Sequence, residues 1–137
     1  MFANPSPDQI RSLLQEVKTI AVVGLSPRPD RPSYRVSRAM QGFGYRIVPV
    51  RPAVAEILGE KAWANLSAIP FAVDMVDVFR AGDQIDPVVD ECIALGVKRL
   101  WLQDGVINEA AAARAQAAGI TVVMDRCVWR DYMDLVV

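Results

Sequence analysis

The sequence predicts an α/β domain in which helices cover both faces of a mainly parallel five-stranded sheet. Short apolar runs alternate with helical patterns along the chain, the order expected of strands joined by right-handed crossovers. Those runs are nearly continuous in apolar residues, as in strands buried on both faces. The chain has 137 residues, 53% of them hydrophobic, enough for one core. No internal repeat, low-complexity tract or linker divides it. The expectation is one doubly wound unit over residues 1–137, with 1–18 as an N-terminal covering helix and 128–137 as a C-terminal helix.

The elements follow in order. Ser6 is placed as an N-cap, Pro7 at the first helical position and Gln9 to complete a capping box. Ile10, Leu13, Leu14 and Val17 then share one face. Thr19 to Gly24 reads as the first strand. Ser33 is expected to cap a helix in which Val36, Met40 and Phe43 share a face, ending at Gly42 and Gly44. "YRIVPV" is the second strand, finishing at Pro49, which lacks a ladder donor. "ILGEKAWANLSAIP" is less regular, with a short helical turn over 65–69. "VDMVDVF" is the third strand. Asp86 and Pro87 start a helix with Val89, Cys92 and Ile93 inward. "KRLWLQ" is the fourth strand. Asn108 caps an alanine-rich helix that stops at Gly119, the alanines suiting close packing on a sheet. "ITVVMD" is the fifth strand, and 128–135 forms the last helix. Trp63, Trp101 and Trp129 read as core or interface residues, and an exposed Trp129 would support a homodimer.

Composition narrows the function. The net charge of −1 argues against general attraction to nucleic acid or anionic membrane, so any anion site is local. No run of about 18 apolar residues suggests a membrane span. "MFANPSPDQIRS" lacks the basic-then-apolar pattern of a secretory signal. Cys92 and Cys127 lack metal-ligand spacing and read as free thiols, consistent with a cytoplasmic protein. The chain has no histidine, the commonest general base. Asp74, Asp77, Asp104 and Asp125 make no metal set, and no catalytic residue is assigned.

In open parallel sheets ligands bind beyond the carboxyl ends of the strands. Here those exits carry Gly24, Leu25 and Ser26; Arg51 and Pro52; Phe79 and Arg80; Gln103, Asp104 and Gly105; and Asp125, Arg126 and Cys127. Cations recur among them. In "GLSPRPDRPS", Gly24 permits a sharp turn and close approach to a ligand. Pro27, Pro29 and Pro32 bias the residues before them toward extended backbone, so the loop is stiff. It leads into a helix N-terminus near Ser33, where free amides and the dipole favour an anion. Arg28 and Arg31 would add charge-assisted bonds to phosphate, or be solvated loop charges. Arg35 and Arg38 read as surface residues of the helix. The loop departs from G-x-G-x-x-G, and the second strand ends on Arg51 where NAD sites carry an acidic residue. A cation there suits a phosphorylated ribose, which leaves coenzyme A and NADP both open.

"IAVVGLSPRPDRPSYRVSRAMQGFGYRIVPVRP", "ILGE", "VDMVDVFR" and "LWLQDGVINEAAAARAQAAGITVVMDRC" together resemble the small stand-alone bacterial CoA-binding proteins. These are similar to the CoA-binding domain of the succinyl-CoA synthetase alpha subunit and Rossmann-like in fold. The resemblance covers roughly Thr19 to Cys127. It implies coenzyme A or an acyl-CoA, held by Gly24, Leu25, Ser26, the loop through Arg28, Arg31 and Ser33, Arg51, Pro52, Phe79, Arg80, Gln103 and Gly105. The chain departs from the family's pattern at Val50-Arg51-Pro52, where Val-Asn-Pro is expected, and after Cys127, where Asp131 and Tyr132 stand in place of a Glu-His pair.

Non-catalytic binding of coenzyme A or a short acyl-CoA is therefore the leading expectation. Leu25 and Phe79 would pack on adenine or pantetheine, or Phe79 belongs to the core. One alternative is an NADP-binding or redox-sensing module. Another is a CoA-dependent acyl-transfer or ligase-related enzyme. Ligases of the succinyl-CoA synthetase type use a phosphorylated histidine that this chain lacks. Cys127 is the one candidate nucleophile, with Arg126 beside it, and otherwise a buried structural thiol.

Overall fold

The computed structural model describes residues 2–137; Met1, within the expected N-terminal cover, lies outside them. Five parallel strands form one sheet: β1 (Thr19–Val23), β2 (Arg46–Val50), β5 (Met75–Val78), β6 (Arg99–Leu102) and β7 (Thr121–Met124). Their spatial order is β2-β1-β5-β6-β7. Helix α2 (Pro32–Gly42) joins β1 to β2, α3 (Ile85–Leu95) joins β5 to β6, and α4 (Glu109–Ala117) joins β6 to β7. Helix α1 (Pro7–Glu16) precedes β1 and α5 (Val128–Leu135) follows β7. This is the doubly wound, Rossmann-like α/β arrangement expected from the strand–helix alternation.

Alternation of side chains across the pleat divides the core in two. Ala21, Val23, Val76, Val78, Leu100 and Leu102 face the layer of α3 and α4. Ile20, Val22, Met75, Trp101 and Val123 face the layer of α1, α2 and α5. Trp101 is fully buried, and its indole N–H donates to the Arg126 carbonyl at 2.8 Å. The capping box of α1 forms as expected: Ser6 Oγ accepts from Gln9 N at 3.2 Å, and Gln9 Oε1 accepts from Ser6 N at 2.8 Å. Asn108 caps α4, accepting from Ala111 N at 3.0 Å, and Asn65 caps the 3-10 turn Leu66–Ala68.

Several expectations need correction. Pro49 sits inside β2, paired with Val22, rather than ending it. β2 is the sheet's outer strand, and the Pro49 carbonyl points outward to accept from Trp63 N at 3.0 Å. N–H and C=O of a strand residue point to the same side, so the missing donor also falls outside the ladder with β1. Ile93 is 39% exposed, so it does not lie on the inward face expected, and Phe43, at the C-cap of α2, is 37% exposed while Val36 and Met40 are buried. The irregular stretch after β2 contains a hairpin, β3 (Glu56–Ile57) and β4 (Glu60–Lys61), turned through Leu58 and Gly59 at positive φ. Gln41 Nε2 donates to the Leu58 carbonyl at 2.9 Å and ties this hairpin to α2.

Candidate functional site

From β1 the chain winds first to β2 on one side and later to β5 on the other, so the sheet has its topological switch point between β1 and β5. The helices that follow these two strands lie on opposite faces there, which leaves a crevice at the strands' carboxyl ends. The first residue past each strand still holds its neighbour: Gly24 N donates to Val50 O at 3.1 Å, Phe79 N to Val23 O at 2.9 Å and Gln103 N to Val78 O at 3.3 Å. The exits thus form one level rim.

Gly24 is required at the centre of that rim. Its φ is +84°, and a Cβ built on it would lie 2.5 Å from the Phe79 carbonyl oxygen and 3.3 Å from Arg80 Cγ. Only a residue without a side chain fits this conformation and contact.

The loop beyond Gly24 is braced by its own hydroxyls. Ser33 Oγ accepts from Ser26 N at 2.9 Å, and Ser26 Oγ accepts from Arg28 N at 3.1 Å. Ser33 is therefore not the N-cap of α2, as the sequence suggested. Arg31 occupies that position and makes no side-chain cap, with Pro32 opening the helix. Among the described residues the first-turn amides of α2 have no side-chain acceptor, and the positive end of the helix dipole faces the crevice.

Two adjoining cavities open here. One, of about 530 Å3, is lined by Gly24, Ser26, Arg28, Arg31, Pro32, Ser33, Arg51, Phe79, Gln103, Asp104 and Val106. The other, of about 470 Å3, is lined by Gly24, Arg51, Pro52, Phe79, Arg80, Ala81 and Gln84. Gly24, Arg51 and Phe79 form the shared wall. Most of the residues singled out in the sequence come together on these walls. Two do not. Leu25 is fully buried in the core under α2, and only its carbonyl is engaged, by Arg51 Nη1 at 3.5 Å. Gly105 turns away, its amide donating to Asp125 Oδ1 at 2.8 Å.

The charges on these walls are unequal. Arg28, Arg31, Arg51 and Arg80 surround the cavities. Arg28 reaches only the exposed Asp30, at 3.7 Å. Arg80 Nε is buried without a hydrogen-bond partner among the described residues. Asp104 is the acidic residue on the walls, and Arg130 already binds it through two bonds of 3.0 and 2.7 Å. Those bonds to Arg130 hold the Asp104 carboxyl below its ordinary range. The residues present thus fit a polyanion: an uncapped helix end, a cradle that a Cβ would fill, and a buried guanidinium donor awaiting an acceptor.

For other rim residues the sequence supplied the position but not the role. Gln103 is 4% exposed, and its Oε1 accepts from Val128 N at 3.1 Å, which caps α5 from a distant strand. Arg126 grips the buried Asp131 at 2.6 and 2.8 Å. The spacing of Arg126 and Asp131 carried that signal, since a loop cation just before a helix can reach back to its first turn. Cys127 is half-buried and is not among the residues lining either cavity. Cys92 is fully buried, and burial pushes its thiol up to about 12.

A parallel sheet with a basic crevice at its switch point is the arrangement in which open Rossmann-like α/β proteins carry their ligand sites. The profile of the CoA binding domain family matches residues 18–133, and the chain belongs to that family. It is 46% identical over 125 residues to the YneT protein of Bacillus subtilis, covering 91% of this chain and 93% of that one. The cell-free ID.343 protein of Thermus thermophilus has the same fold. It superposes with a TM-score of 0.91 at 35% identity, covering 96% of this chain and 99% of that one. The ADP-forming acetate–CoA ligase of Methanocaldococcus jannaschii is 25% identical over 81 residues, which are 59% of this chain but 12% of that enzyme.

Proposed function

We propose that the protein binds coenzyme A or a short acyl-CoA at the rim between β1 and β5, as a recognition module without turnover of its own. The observation that carries this reading is the convergence of Arg28, Arg31, Arg51 and Arg80 on two joined cavities whose acidic wall residue, Asp104, is already paired. A ligand with a pyrophosphate and a further ribose phosphate supplies the anions these groups lack. The α2 N-terminus takes one phosphate, and Arg51, on the shared wall, is within reach of both cavities. Phe79, half-buried on that wall, offers an apolar surface to adenine or pantetheine. Membership of the CoA binding domain family supports the choice of coenzyme A over NADP. Cys127, the one candidate nucleophile, is not among the residues lining either cavity, which supports binding over acyl transfer.

Thermal unfolding with a ligand panel tests the reading. Coenzyme A and acetyl-CoA are expected to raise Tm in proportion to the logarithm of ligand concentration above Kd, because they bind only the folded chain. Dephospho-CoA should act more weakly, and NAD least. A larger shift with NADP than with coenzyme A would assign the crevice to the dinucleotide. No shift with millimolar coenzyme A would remove the proposal.

A further inference from the structure

We propose that the outward face of α5 is a self-association surface that pairs antiparallel with the same face of a second copy of this chain. Trp129, Met133 and Val137 are 39%, 47% and 76% exposed. Trp129 and Met133 stand at i and i+4 on one face of α5, and Val137 lies just past the helix's end, its amide donating to the Tyr132 carbonyl at 3.2 Å. Isolated exposed apolar residues need no explanation, but three grouped at one end of the molecule make a candidate contact. The group is extended on one flank. Tyr132, half-buried, stacks on the exposed Phe43 at 4.2 Å between ring centroids and meets Tyr45 edge-on at 5.8 Å.

The other flank decides the occupant. It carries Arg130 and Asp134, both exposed, one helical turn apart. Arg130 binds Asp104, with its side chain still 56% exposed. Asp134 makes no ion pair among the described residues. A uniformly acidic or basic partner would satisfy one of these charges and oppose the other. A second copy related by a two-fold axis satisfies both. In an antiparallel pair the same flanks meet, so Arg130 of one copy approaches Asp134 of the other, and the reverse, as an isologous interface requires. The axis then passes near Met133, which faces its own counterpart, while Trp129 of one copy covers Val137 of the other.

An eight-residue helix with its flanks offers less surface than the ~1,200–2,000 Å2 that stable interfaces bury. The association is therefore a concentration-dependent one.

Sedimentation velocity over a concentration series is the test. The expected result is a monomer–dimer equilibrium that M133E abolishes with the circular dichroism spectrum unchanged. D134R and R130D should each weaken self-association, by placing like charges opposite one another. Their equimolar mixture should restore it, because the heterodimer again pairs opposite charges at both places. Should R130D fold poorly, M133C in a Cys127→Ser background decides the matter. Mild oxidation should link it to itself across the axis, whereas I93C, exposed on the opposite side of the sheet, should stay unlinked. A chain that remains monomeric at about 1 mM, where only about −4 kcal/mol of binding would register, overturns the proposal. So does a dimer that survives M133E, or a mixture that fails to recover association.

Discussion

At the scale of single residues, the site depends on places where one side chain more, or one charge more, would not fit. Gly24→Ala is the clearest case. The substitution places a methyl 2.5 Å from the Phe79 carbonyl in a backbone conformation with φ +84°. The left-handed backbone alone costs about 1–3 kcal/mol, and relief of the clash must part the β1 and β5 exits. Urea denaturation should show that loss, and coenzyme A should no longer raise Tm. Asp77 is the complementary case, a carboxyl 2% exposed in β5 whose Oδ1 has no partner among the described residues. Burial raises its pKa well above the ordinary value, and the backbone hydrogen bond at Val78 offsets this only in part. The unfolded chain releases that proton near pH ~3.9, whereas the folded chain keeps it to higher pH. Above about pH 4 the folded state therefore holds more protons, and stability falls with rising pH until the folded pKa is passed. Asp77→Asn removes the titration and keeps the shape. Its Tm should match the parent near pH 4 and exceed it at pH 7; equal Tm values at both pH values would show that folding does not raise the pKa of Asp77.

At the scale of elements, the rim is built by long-range caps that hold helices to strand exits. Gln103, just after β6, supplies the acceptor for the first amide of α5, whose own N-cap Cys127 makes no side-chain bond. Gln103→Leu would leave that buried amide orphaned, at about 1–2 kcal/mol. Amide exchange in α5 should quicken while exchange in β6 holds; a variant with unchanged α5 protection would show that the cap is dispensable. This bond spans 25 positions, so no local pattern announces it. The elements that were legible carry strong local signals: the Ser6–Gln9 capping box, the apolar runs of the sheet strands, and Asn108 before the alanines of α4. Those that were not obey tertiary context. The β3–β4 turn uses Leu58 and Gly59 at positive φ, where Asn-Gly would have been the readable signal. Ser33 looks like an N-cap, yet Pro32 can open the helix one position earlier and frees the Ser33 hydroxyl to hold Ser26. Pro49 is acceptable only because β2 lies at the edge, which depends on strand order rather than on β2 itself.

At the scale of the whole molecule, the strand order turns scattered sequence positions into one site. Arg28, Arg51 and Arg80 are far apart along the chain and meet because β1, β2 and β5 are neighbours in the sheet. That much was readable, since exits of a parallel sheet share one edge. The division into two cavities was not, because it depends on how Gly24, Arg51 and Phe79, which line both, come together in the fold. The division makes a quantitative prediction for coenzyme A binding by calorimetry. Arg51→Ala removes a group from both walls and should weaken binding most, by about 1.5–3 kcal/mol, on the order of tenfold to a hundredfold in Kd. Arg28 and Arg80 line different cavities. Their alanine variants should combine additively to within about 0.5 kcal/mol, as separate sites do. Arg51 shares a cavity with each, so its double variants with Arg28→Ala and Arg80→Ala should depart from additivity by more than that. If Arg28 and Arg80 couple strongly to one another, or Arg51→Ala leaves Kd unchanged, a ligand extended across both cavities is ruled out.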